Sequence, residues 1–281
     1  MQVFVPGKLS WLVAGGGVLW CVSTSLLPST AIAYEQTMTC SRSESALFPC
    51  AEGETPLPVC WSERTITYHL NAMGSEDLRG QDGTLSFAFE DAVQSSFSAW
   101  SAPSCAHLAF EYGGLTDEDR VGFFRDGKDK NLIIWQEDWP YADDTAFALT
   151  SVTFNAATGT ISDVDIEFNG DNFTWAIKEL PSVNEVDLQN TLTHEVGHFI
   201  GFDHSPIPAA TMYESAPQGE TSKRTLAQDD IDAVCDVYTP VSDDDGGCGR
   251  CATSNAPPSR GAGAVLLLLF CLALGRTRKR R

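Results

Sequence analysis

Residues 194–204 read HEVGHFIGFDH and hold three of the chain's five histidines. That spacing commits the backbone. On an α-helix His194 and His198 stand four residues apart, so both imidazoles project from one face about a turn from each other. Two rings so placed can share one zinc ion at about 2.0–2.1 Å. Glu195 is offset by about 100° around the helix, where its carboxylate reaches a water on the metal without ligating the metal. Gly201 takes a positive φ at no steric cost, ends the helix and turns the chain so that His204 returns as third ligand. Three neutral nitrogen donors leave the fourth position to water, whose pKa zinc lowers, and Glu195 can take that water's proton as it attacks a peptide carbonyl. A closed structural site has no use for the open position or the glutamate. The five fixed positions arise by chance with odds of order one in a hundred thousand.

Around this helix the chain alternates. Arg64 to Leu70 carries β-branched and aromatic residues at strand spacing. Phe89, Val93, Phe97 and Trp100 recur at helical spacing within residues 86–100. The stretches HLAFEY and NLIIWQ read as strands, and AFALTSVTFN and GTISDVDIEFN as two more around the turn AATG. The histidine helix starts at an N-capping Asp187 and stops at Gly201. A last helix, residues 226–238, sets Ile231, Val234 and Tyr238 on one face. The pattern predicts one α/β (α+β) domain over residues 60–241, with a mixed sheet, an active-site helix and a C-terminal helix. Residues 34–59, rich in Ser, Glu, Pro and Thr, read as a loose leader, tied down by cysteines if at all.

The two ends have other compositions. Residues 1–33 have a single charge (Lys8), a short apolar stretch and the A-x-A site AIA, the pattern of a secretory signal peptide. Residues 242–263 form a linker with Cys248 and Cys251, followed at 264–281 by a short apolar run and a basic cluster. The apolar run, eleven residues at about 1.5 Å each, covers about half of a 30 Å hydrocarbon core, which suits a processed sorting signal better than a stable span, an ordinary short membrane anchor being the alternative. The order of this tail resembles the C-terminal sorting tail of myxobacterial surface proteins. That resemblance implies cleavage near Cys248 or Cys251 and an exported protein that is anchored at the outer surface or released.

Eight of the 18 basic residues lie in residues 1–33 and 246–281, leaving ten against all 38 acidic ones in between, a net charge of −28. Such a body repels nucleic acid and anionic membranes, so membrane contact runs through the tail alone. Five cysteines, Cys40, Cys50, Cys60, Cys105 and Cys235, lie in this exported body, enough for two disulfides and one left over, in fifteen possible patterns.

The HEVGHFIGFDH segment matches the extended zinc signature of the metzincin metallopeptidases. Within that clan the chain resembles the matrixins. Ser205 follows the third histidine, ATMY supplies Met212 as a Met-turn beneath the metal, LAQDDIDAVCDVY resembles the closing helix, and DLQNTLTHE the entry to the active-site helix. The resemblance runs from about Arg64 to Tyr238. It implies that residues 146–154 form the edge strand above the cleft, with substrate extended alongside. Three departures stand out. Glu214 replaces the usual Pro after the Met-turn. His69 and His107 are too few for the second zinc of many animal relatives, and Asp163, Asp165 and Asp171 are candidates for calcium instead. The family's latency motif is absent, FPCAEGETP around Cys50 being a faint echo, and a disulfide is the expectation for Cys50. Cys105 and Cys235 form a natural pair between the early sheet and the last helix.

The resulting expectation is a monomeric, exported zinc endopeptidase acting on proteins or peptides. His194, His198 and His204 ligate one catalytic zinc, Glu195 is the base, and Met212 lies below. The rival reading is a zinc-containing surface module that binds without turnover; the intact Glu195 weighs against it.

Overall fold

The computed structural model describes residues 33–43, 49–124, 129–239 and 264–272. Nearly all of the signal segment, the linker 242–263 and the basic cluster of the tail fall outside them. Within the described residues the domain is built on β1 (Thr65–Asn71), β2 (Ala109–Thr116), β3 (Leu132–Gln136), β4 (Ala146–Phe154) and β5 (Ile161–Asn169). Two short strands, β6 (Thr174–Ala176) and β7 (Glu185–Asp187), form a parallel pair of their own. The last strand, β8 (Ala264–Leu272), joins the main sheet, whose order is β2-β1-β3-β5-β4-β8. β1 pairs in parallel with β2 and β3, β3 with β5, while β4 runs antiparallel to both β5 and β8. The mixed sheet agrees with the expectation.

Two helices cover one face of the sheet. In α1 (Phe87–Ser101) Ser86 caps the N-terminus by accepting from the Phe89 N–H, and Phe89, Val93, Phe97 and Trp100 are all at most 1% exposed. These are the four positions that the spacing picked. In α2 (Leu188–Phe199) the Asp187 carboxylate accepts from the Asn190 N–H at 2.7 Å. The indole N–H of Trp100 donates to the Thr193 carbonyl at 2.8 Å and so locks α1 against α2. The last helix, α3 (Gln228–Val237), buries Ala233, Val234 and Val237.

Three expectations change. The leader is not loose. Thr37 donates to the Gly201 carbonyl at 2.9 Å, Asp203 to Glu35 at 3.0 Å and Val59 to Thr37 at 2.8 Å, so residues 35–37 lie on the turn that follows α2. Such bridges are one or two residues long and have no period to read. Cys105 pairs with Cys235, as expected, and Cys50, expected in a disulfide, takes Cys40, a partner that the sequence does not choose; Cys60 is disulfide-bonded as well, so no cysteine of the five is left over. The apolar run of the tail differs too. Ala264–Leu272 is a strand paired along the whole of β4, so β4 is not at the edge of the sheet. An unpaired strand edge is a template for any extended segment, and a run too short to span a membrane has that alternative.

Candidate metal centre

Helix α2 and the turn after it bring His194, His198 and His204 together. Their ligand atoms all lie within 4.8 Å of one another, the one such group of three or more His, Cys, Asp or Glu among the described residues. The ring centroids are 4.9, 5.3 and 5.0 Å apart. His194 Nδ1 sits 2.7 Å from the Thr211 carbonyl and His198 Nδ1 2.8 Å from that of Phe202. A carbonyl only accepts, so each Nδ1 carries the proton and each Nε2 keeps a lone pair for a metal. Burial drives all three imidazoles toward the neutral form: His194 falls well below its ordinary value, His198 to about 4 and His204 to about 2. The donor set fits a zinc ion.

The turn is shaped by two glycines. Gly201 has φ +92°, and a Cβ there would overlap the Val59 carbonyl oxygen, so side chains are excluded by backbone conformation and by the leader together. Gly197, between the two helical histidines, faces Met212, whose sulfur a Cβ at that position would overlap. The Met-turn expected from the sequence thus lies directly against the helix that carries the histidines.

Glu195 is fully buried. Its Oε2 accepts from the Thr150 hydroxyl at 2.6 Å, and its Oε1 has no hydrogen-bond partner among the described residues. Burial pushes this carboxyl up to about 8, with the Thr150 hydrogen bond pulling back. Two carboxylates of α3 hold the loop from His204 to Met212. Asp229 accepts from the Ser205 hydroxyl at 2.6 Å, and Asp230 from the Thr211 and Met212 N–H groups at 2.7 and 3.0 Å. In the sequence Asp229 and Asp230 are only acids opening a helix, and Thr150 carries no local signal at all.

The three aspartates considered for calcium separate. Asp163 and Asp165 alternate along β5 on one buried face; Asp165 accepts from Gly122 and Leu132 N–H groups at 2.5 and 3.0 Å, and Asp163 Oδ2 is buried with no partner among the described residues. Asp171 lies in the turn beyond the end of β5. The strand period of two makes Glu167 the third acid of the row instead, and it accepts from the Tyr141 hydroxyl at 2.5 Å and from Gln136 at 2.7 Å.

Residues 60–239 match the matrixin family. Among similar proteins, Metalloendoproteinase 1-MMP of Arabidopsis thaliana is 29% identical over 191 residues, covering 64% of this chain and 44% of that protein. Neutrophil collagenase of Homo sapiens is 28% identical over 185 residues (66% and 34%), and karilysin of Tannerella forsythia 24% over 178 residues (63% and 33%). The chain spans less than half the length of these relatives.

Proposed function

The chain belongs to the matrixin family, and from that we propose that it is an exported zinc-dependent endopeptidase that cleaves protein or peptide substrates. The observation that carries this is the meeting of three neutral imidazole donors beside one buried carboxylate. His194, His198 and His204 would hold a zinc ion through their ring nitrogens, and Met212 packs against Gly197 of α2. When bound, zinc lowers the pKa of a coordinated water and polarises the substrate carbonyl. Glu195 accepts the proton from the attacking water and delivers it to the departing amine, so that one carboxyl serves both halves of the reaction. β4 supports an extended substrate by backbone pairing once β8 has left its outer side.

Export rests on residues 1–33, attachment on the C-terminal tail, and both read from sequence alone. Among the described residues no helix is long and apolar enough to cross a membrane. The molecule acts as a monomer, away from nucleic acid. For calcium we retain Asp163 and Asp165, where a cation would neutralise adjacent buried carboxylates, and leave Asp171 out.

The test uses purified protein with and without a zinc chelator, beside Glu195→Ala. Cleavage of casein that both treatments abolish is the expected result. A Glu195→Ala protein that keeps its zinc and cleaves at the wild-type rate would remove the proposal.

A further inference from the structure

The α2-facing side of β4 is an apolar row with one interruption. Ala148, Thr150 and Val152 alternate along it and lie opposite Phe168, Ile166 and Val164 of β5, all buried. A hydroxyl in such a row costs stability unless it is hydrogen-bonded. Thr150 is completely buried, and its Oγ1 donates to Glu195 Oε2 at 2.6 Å. The other oxygen of that carboxylate, Oε1, has no partner among the described residues.

We propose that Thr150 is a positioning residue that orients Glu195 for proton transfer. Resting on the reading of Glu195 as base, it goes beyond it by naming what aims that base. A glutamate carboxylate swings about a broad terminal torsion, and α2 fixes only its backbone. A hydrogen bond to one oxygen stops the swing and leaves the other oxygen to exchange protons with the reacting water. Because Thr150 belongs to β4, the strand proposed to align the substrate also aligns the base.

The experiment compares zinc-loaded wild type with Thr150→Ser and Thr150→Ala. Both variants lose the same methyl group, so their difference isolates the hydroxyl. With a peptide substrate, Thr150→Ala loses about tenfold to a hundredfold in kcat with KM within about twofold, while Thr150→Ser stays near wild type. A second readout needs no turnover. A peptide hydroxamate donates its N–OH hydrogen to an oriented carboxylate beside the zinc, whereas a peptide thiol takes the metal alone. Thr150→Ala weakens the hydroxamate about tenfold and leaves the thiol unchanged. Equal Ser and Ala variants in both assays overturn the proposal. So does an Ala variant that loses thiol and hydroxamate affinity together with its zinc, because that is a packing defect. Wild-type protein that binds hydroxamate but cleaves nothing sinks the endopeptidase reading, and the hydroxamate comparison still decides the role of Thr150.

Discussion

Met212 packs directly against Gly197: a Cβ built on Gly197 would overlap the Met212 sulfur and stand 2.8 Å from the Trp100 ring. By helix propensity alone alanine at this position would be better by about 0.5–1 kcal/mol. The packing decides the other way. A methionine end can move, but Trp100 is tied to the Thr193 carbonyl and cannot. Gly197→Ala therefore overpacks the site, costing about 1–3 kcal/mol, and shifts the histidine helix away from the Met-turn. Calorimetry and zinc titration of the variant show a lower Tm and weaker zinc binding. A raised Tm with unchanged affinity would mean that the contact is slack.

The adjacent aspartates of α3 differ in what they hold, and substitution separates them. Asp230 is 1% exposed and accepts from three backbone N–H groups, those of Thr211, Met212 and Ala227. Asp230→Ala strands three donors, two of them in the Met-turn, and costs roughly 3–5 kcal/mol. Asp229→Ala removes the bonds from the Ser205 hydroxyl and from the Ala33 N–H, neither of them in the Met-turn, and costs about 1–2 kcal/mol. Urea unfolding of both variants at one pH measures the gap. Equal losses would show that the three-bond clamp does not govern the loop.

What was legible in the sequence was whatever repeats or keeps a fixed local spacing. The α1 face, the Asp187 cap, the Gly201 stop and the three histidines are all set within a few residues of one another. Thr150 and Glu195 are 45 residues apart and meet only because β4 lies under α2. The leader's hold on Gly201 and Asp203 is equally long-range, made by single backbone bonds that any composition can supply. Asp171 reads as equivalent to Asp163 and Asp165 in a run of acids, yet the strand ends before it and hands its place to Glu167. The apolar tail had no helical period to contradict a strand, and the partner that makes it one is more than a hundred residues earlier in the chain.

Asp163 and Asp165 give the fold a pH dependence. Burial raises both, to about 8 and about 7, with the Asp165 and Asp129 charges adding to the rise of Asp163. In the folded chain they keep protons at pH values where the unfolded chain has released them. The folded form therefore binds more protons, and stability falls as pH rises from about 4 until it passes 7 to 8. Asp163→Asn flattens this slope and raises Tm at about pH 8 in a calcium chelator. Adding calcium at the same pH raises the wild-type Tm and not that of the variant. Thermal melts of the two proteins from about pH 5 to 8, with and without calcium, check both statements. Parallel slopes would clear Asp163 of any part.

β8 occupies the outer side of β4, pairing antiparallel from Ala146↔Leu272 to Phe154↔Ala264. Those are the backbone groups that an extended substrate would use. A tethered segment competes at an effective concentration of order millimolar, and competition of that kind raises apparent KM without touching the chemistry. Protein ending at Val241 should therefore show a KM about tenfold below that of the full chain on the same peptide, with equal kcat. Initial rates over a range of substrate concentrations separate the two constants. Equal KM values would mean that β8 leaves β4 at negligible cost, and a lower kcat in the shorter protein would mean that the tail supports the site instead of covering it.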